Sequence, residues 1–302
     1  MIWLIGNKGM LGTEISLLLK KHDCAFTGTD REIDITDVKA LAEYAQNAGR
    51  DKKITWIINC AAYTAVDKAE DDEKNCRRLN QLGAANIGEC ANRIKAKLIH
   101  VSTDYVFDGQ GNAASGEQPR PYREDDRTNP TGVYGLTKLE GELDVMKNNP
   151  DSFIIRTSWL YGKHGGNFVH TMLRLMNERN EINVVNDQRG SPTWAFDLAC
   201  VILKIIKNSD NGKEIPCGIY HFSDEGNISW FDFAKEIYIE GRMAGIIKKD
   251  CHIVPCSSAE YPARVKRPAY SVLDKSKIKA ALQIDIPSWD KSLKEYIKTC
   301  AF

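Results

Sequence analysis

The sequence predicts an α/β protein built on a doubly wound parallel sheet, with a smaller C-terminal region interleaved with it. Three observations predict this. Strand-like and helix-like segments alternate through the first half. A glycine-rich turn follows the first strand. The regular alternation weakens after Ser158. Parallel strands need crossovers, and crossover helices cover both faces of the sheet.

The elements follow in order. Ile2–Ile5 is a short apolar strand, and Met10–Lys20 places Leu11, Ile15, Leu18 and Leu19 on one side of a helix. Cys24–Thr29 reads as a second strand, Asp37–Ala48 as a helix, and Thr55–Cys60 as a third strand. Cys76–Ile94 reads as one long helix, Lys97–Ser102 as a fourth strand, Tyr134–Lys147 as a helix and Ser152–Arg156 as a fifth strand. Between them, Gly109–Thr131 is rich in Gly, Pro, Asn and charge and reads as a surface loop near the site. Helical signals recur at Phe168–Arg179, Ala195–Lys207, Trp230–Gly241 and Trp289–Thr299, with Thr193 as a candidate cap. We expect residues 1–160 to bind a dinucleotide, with elements returning to that unit from about 190–225. Residues 161–302 are expected to be mainly substrate-binding.

Composition narrows the function classes. The chain has 302 residues, 42% hydrophobic and 27% charged, an ordinary globular mix. Its 41 basic and 41 acidic side chains cancel, so no broad field draws it to nucleic acid or an anionic membrane. No apolar run approaches the roughly 20 residues of a membrane helix. Nine scattered cysteines, with no C-x-x-C pair, fit free thiols in a reducing cytoplasm.

Two motifs carry chemistry. Gly6-Asn7-Lys8-Gly9-Met10-Leu11-Gly12 has G-x-x-G-x-x-G spacing, between a strand and an amphipathic helix. Glycines there permit a tight turn, close approach of a pyrophosphate and close helix–sheet packing, and the helix N-terminus favours phosphate. This is a Rossmann-type signal. Asp30 ends the second strand, where a carboxylate takes a ribose 2′-hydroxyl and favours NAD. Arg31 follows, and a guanidinium there suits the 2′-phosphate of NADP. The signals conflict; we expect NADPH, with NADH the alternative. Asp34 and Ile35 are placed to flank the adenine, and Ala61, Ala62 and Thr64 to line the cofactor's path.

The second motif is Tyr134-x-x-x-Lys138. Residues four apart share a helix face, and an ammonium beside a phenol makes it a better acid. We therefore expect Tyr134 to donate a proton and Lys138 to acidify it and hold the nicotinamide ribose. Ser102-Thr103-Asp104-Tyr105 follows the fourth strand, at the sheet edge where such folds bind ligands. The Thr103 hydroxyl is a candidate partner for the reacting carbonyl oxygen.

Together these motifs resemble the extended short-chain dehydrogenases/reductases and, within them, the dTDP-4-dehydrorhamnose reductase family. The matching stretches are Asn59–Glu70, His100–Phe107, Val133–Glu142, Arg156–Tyr161, Gly166–Arg174, Val185–Thr193 and Arg267-Pro268, in order along nearly the whole chain. The resemblance implies reduction of the C4 ketone of dTDP-4-dehydro-L-rhamnose. It implies substrate contacts from Thr103, Asp104, Tyr105, Trp159 and Asn167, with Arg174 and Gln188 nearby, and Arg189 and Arg267 on the diphosphate. Some members are dimers bridged by magnesium through glutamates. Glu14 matches one such position, but Ser292–Glu295 supplies no clear second. We expect no metal, and a monomer or homodimer. The alternatives are a 4,6-dehydratase or 4-epimerase of the same superfamily, or a non-catalytic regulatory subunit. A dehydratase would want Asp-Glu after the threonine, and this chain has Asp104-Tyr105.

Overall fold

The computed structural model describes residues 1–302 except 51, 112–117, 262–263 and 300–302. Part of the expected surface loop, 112–117, thus lies outside the described residues. The first half runs β1 (Ile2–Ile5), α1 (Met10–Lys21), β2 (Phe26–Thr29), α2 (Val38–Ala48), β3 (Trp56–Asn59), α3 (Val66–Ala69), α4 (Glu73–Arg77), a π-helical turn (Arg78–Gly83), α5 (Ala84–Ile94), β4 (Lys97–Thr103), α6 (Val133–Asn148) and β5 (Ser152–Thr157). The second half runs β6 (Leu160–Tyr161), α7 (Phe168–Glu178), β7 (Glu181–Val185), β8 (Arg189–Gly190), β9 (Thr193–Trp194), α8 (Ala195–Asp210), β10 (Gly218–His221), β11 (Ile228–Ser229), α9 (Trp230–Met243), β12 (His252–Cys256), α10 (Ser276–Leu282) and α11 (Trp289–Thr299).

Six parallel strands form the central sheet in the order β2-β1-β3-β4-β5-β10. Strands β1, β3 and β5 are buried throughout, as near-continuous apolar runs in a two-sided parallel sheet should be. The chain winds outward from β1 to β2, then resumes at β3 on the other side of β1. That reversal opens a crevice at the carboxyl ends of β1 and β3. One face packs on α1, α8 and α10 through Leu11, Ile15, Leu198 and Ile202; the other packs on α2 and α5 through Leu41, Ile87 and Ala91. A separate apolar cluster joins α7, α9 and α11 with β7 and β12.

Several boundaries differ from the sequence reading. The expected single helix over 76–94 is broken by the π-helical turn, where one extra residue per turn sends Asn80 inward. The Asn80 amide accepts from Tyr63 N at 2.8 Å and donates to Tyr63 O at 3.1 Å. Thr193 caps no helix: it lies in β9, donates to Ser158 O at 2.7 Å, and α8 starts behind Trp194 without a side-chain cap. The 109–131 stretch is less superficial than its composition indicates, because Tyr122 is buried and stacks on Phe107 at 4.1 Å. Among the described residues no helix is long and apolar enough to cross a membrane.

Candidate active site

The crevice holds a groove of about 1000 Å³, walled by Gly6, Gly9, Asp30, Ile35, Ala61 and Arg78 among others. The glycine loop shapes its floor. Gly6 has φ +79°, and a Cβ there would lie 2.8 Å from Ala61 N. A Cβ at Gly12 would run into Gly6 O, so α1 approaches the turn closely only because position 12 is glycine. The loop thus leaves a bare backbone cradle at the N-terminus of α1, and the buried Asn7 Oδ1 beside it has no partner. The residues present fit a dinucleotide.

The other expected cofactor contacts divide. Asp30, Arg31, Asp34, Ile35, Ala61 and Ala62 line the groove. Leu11 points into the core beneath the sheet, and Met10 packs on Gly162, so any contact from these two is made by backbone. Tyr63 lines the groove where Thr64 was expected. Three groups escaped the sequence reading. Arg78 donates to Asp34 Oδ2 at 2.5 Å and to Thr36 Oγ1 at 3.0 Å. Glu32 accepts from Asp30 N at 2.8 Å and from Lys8 Nζ at 3.1 Å. Its own backbone amide and that of Asp30, then Lys8, hold the Glu32 carboxyl below its ordinary range. Lys8 sits inside the glycine motif and was in plain view; Arg78 is placed by the π-helical turn, which has no sequence signature.

Tyr134 is the second residue of α6, whose N-terminus is capped by a distant carboxylate, Glu70, accepting from Val133 N at 2.8 Å. The Tyr134 phenol lies beside Thr103 at the end of β4. Thr103 donates to Asp104 Oδ1 at 3.0 Å and accepts from Tyr105 N at 3.2 Å. Burial pushes the phenol above its ordinary range, while Thr103 draws it down and Asp104 pushes it up. Burial also raises Asp104 to about 6, against pulls from Ser271 and Thr103.

Lys138 lies one turn further on α6 and is buried. Its Nζ donates to Val101 O at 2.7 Å and lies 3.4 Å from His100 Nε2; no hydrogen bond joins it to Tyr134. Burial is the largest influence on both groups: it raises the Tyr134 phenol and lowers Lys138 to about 8. A chain of contacts fixes the ammonium. Ala61 N donates to Asn59 Oδ1, leaving Asn59 Nδ2 to face His100 Nδ1 at 3.0 Å. The imidazole is held neutral by burial and by Lys138. Beyond it, the Glu142 carboxylate pairs with Arg156 at 2.7 Å, fully buried, and favours the charged lysine.

A second cavity of about 1090 Å³ has Tyr105 in its wall, and Tyr105 lies edge-on to Tyr134 with ring centroids 5.5 Å apart. Arg267 lines it, donating to Tyr105 OH at 3.1 Å and to Asp67 at 2.5 Å. Arg264 and Lys266 add positive charge. Trp230, missed in the sequence, lines the wall and stacks on Trp159 at 3.6 Å. Trp159 holds φ +47°, a left-handed conformation that a bulky residue keeps only when its surroundings enforce it. Gln188 lines the cavity and donates to Ser258. Three expected contacts are engaged elsewhere. Asn167 caps α7, accepting from His170 N at 3.1 Å and donating to Gly162 O at 2.8 Å. Arg189 is exposed and spends its guanidinium on Asn227. Arg174, similarly, pairs with Glu178 one turn along its own helix. Among the described residues, no group of three or more His, Cys, Asp or Glu is placed to hold a metal ion.

Residues 1–302 match the family described as RmlD substrate binding domain. The chain is 42% identical to a dTDP-4-dehydrorhamnose reductase of Aggregatibacter actinomycetemcomitans, over 96% of each chain. Its fold is similar to the crystal structure of a dTDP-4-dehydrorhamnose reductase from Clostridium acetobutylicum, with TM-score 0.86, 40% identity and 98% of each chain covered. It is also similar to the Bacillus anthracis dTDP-4-dehydrorhamnose reductase solved in complex with NADP, with TM-score 0.88, 35% identity and 99% of each covered.

Proposed function

The chain belongs to the RmlD substrate binding domain family, shared with dTDP-4-dehydrorhamnose reductases along its whole length, and we propose that it reduces the C4 ketone of dTDP-4-dehydro-L-rhamnose to dTDP-L-rhamnose. The observation that carries the proposal is the conjunction of a glycine-floored groove with Tyr134 on α6, set edge-on to Tyr105 in the wall of a second cavity lined by Arg267. A reduced nicotinamide in the groove supplies hydride. NADPH is the expected cofactor, since the Bacillus anthracis relative was solved with NADP.

The side chains then have separate tasks. Gly6, Gly9 and the start of α1 receive the pyrophosphate through backbone amides. Asp34 and Ile35 flank the adenine. Tyr134 Oη gives its proton to the oxygen that gains charge at C4, and Thr103 holds that hydroxyl in place. Lys138 keeps a cation beneath the site. It also holds the nicotinamide ribose. Arg267, with Arg264 and Lys266, receives the substrate diphosphate, where charge-assisted bonds are strongest. Asp104 and Tyr105 close the sugar end, and Trp230, braced by Trp159, offers a flat apolar wall. No metal enters this chemistry, because hydride and proton already have sources. We place the reaction in the cytoplasm, carried out by a monomer or homodimer.

The test is loss of absorbance at the reduced-nicotinamide band with a panel of keto-sugar nucleotides. We expect turnover with dTDP-4-dehydro-L-rhamnose. Oxidation of neither NADPH nor NADH by a folded preparation would remove the proposal.

A further inference from the structure

The turn after β2 poses a question that Asp30 and Arg31 leave open. On such folds the residues ending β2 meet the 2′ position of the adenosine ribose. The structure adds a third residue there. The Glu32 carboxylate bridges the turn and the glycine loop, with one oxygen on Asp30 N at 2.8 Å and the other on Lys8 Nζ at 3.1 Å. Lys8, Asp30, Arg31 and Glu32 all line one end of the groove. Arg31 makes no side-chain hydrogen bond or ion pair among the described residues.

Resting on the cofactor reading above, we infer that Glu32 is a specificity residue that weakens selection for a 2′-phosphate by occupying Lys8 and the Asp30 amide with its own carboxylate. A 2′-phosphate seated here needs local cations. Of the two in reach, Lys8 is already neutralised, and the phosphate must also approach the Glu32 charge. A 2′-hydroxyl meets neither obstacle, and Asp30 is available to accept from it. Arg31 still attracts the phosphate, so the pair Arg31–Glu32 sets a modest preference rather than an exclusive one. The Lys8–Glu32 pair is solvent-exposed, with the two side chains 66% and 49% accessible, so water and salt screen it. The expected effect is accordingly a small factor.

Glu32→Gln isolates the charge, because the amide oxygen can still accept from Asp30 N. Calorimetric titration of the full chain with adenosine 2′,5′-bisphosphate and, separately, with 5′-AMP reads the 2′ position without turnover. We expect Glu32→Gln to bind the bisphosphate roughly three- to tenfold more tightly, with 5′-AMP unchanged. The ratio of kcat/KM for NADPH over NADH should rise by a similar factor. Adding Lys8→Ala should remove most of the gain. Equal shifts for both probes, no shift, or a gain that survives Lys8→Ala in full would overturn the role of Glu32 while leaving the cofactor reading intact. Failure of the wild-type chain to bind either probe would remove the cofactor reading, and this inference with it.

Discussion

The groove over the glycine loop and the cavity lined by Arg267 are assembled in opposite ways. The groove is local: Gly6–Gly12, Asp30–Ile35 and Ala61–Tyr63 each follow a strand and turn over the same edge of the sheet. The cavity is long-range: Asp67, Tyr105, Trp230 and Arg267 come from four distant segments with no shared periodicity. A parallel sheet dictates where its loops must go. A cavity roofed by α7, α9 and the segment before α10 depends on tertiary packing that leaves no spacing to read.

Four experiments can break or sharpen this contrast. The largest effect is expected at Tyr134. Tyr134→Phe should lower kcat by about 10³, within the usual range for losing a general acid, while calorimetry finds cofactor affinity unchanged. Near-normal turnover would detach the chemistry from Tyr134. Next, Arg267→Ala should raise KM by roughly 10- to 100-fold, as expected for a charge-assisted contact, and leave the cofactor Kd alone. An altered cofactor Kd would mean that the two regions are coupled through the Asp67–Arg267–Tyr105 contacts.

Third comes pH. Burial lowers Lys138 to about 8, so its cation is present below that pH and is lost as pH rises through it. The profile of kcat/KM, which reports the free enzyme, should bend there and fall about tenfold per unit above. A flat profile to pH 10 would show that the cation is dispensable. The smallest effect is expected from Arg189→Ala. Its guanidinium serves Asn227 outside the cavity wall, so KM should change by less than about twofold, the scale of an exposed pair. A tenfold rise would return Arg189 to the diphosphate.

The contrast also explains what could be read in advance. The sheet, the glycine loop and Tyr-x-x-x-Lys were legible because each is a short pattern tied to one backbone geometry. Arg267 was found through resemblance, and the cavity does include it. Asn167 looked like a binding residue, but asparagine before an apolar helix serves equally well as a cap, and it bonds as one. Leu11 shares the glycine motif yet faces the core, because helix periodicity determines where its side chain goes. Trp230 gave no signal, since a tryptophan at a helix start is as often core as wall. The Tyr134–Lys138 pair was picked out by spacing, but spacing says nothing of burial. Burial is a tertiary property, and here it pushes the Tyr134 phenol up.

The π-helical turn at Arg78–Gly83 has a mechanical consequence. Asn80 acts as a peg: its side chain clamps the main chain of Tyr63 and reaches Thr137, and its carbonyl lies against Gly141. A loop of the groove and the helix bearing Tyr134 and Lys138 are thereby pinned to one residue. Excising a single residue from this turn would rotate everything beyond it by about 100°. Asn80 would swing out, and the groove loop and α6 would lose their common fastening even with Tyr134 and Lys138 still present.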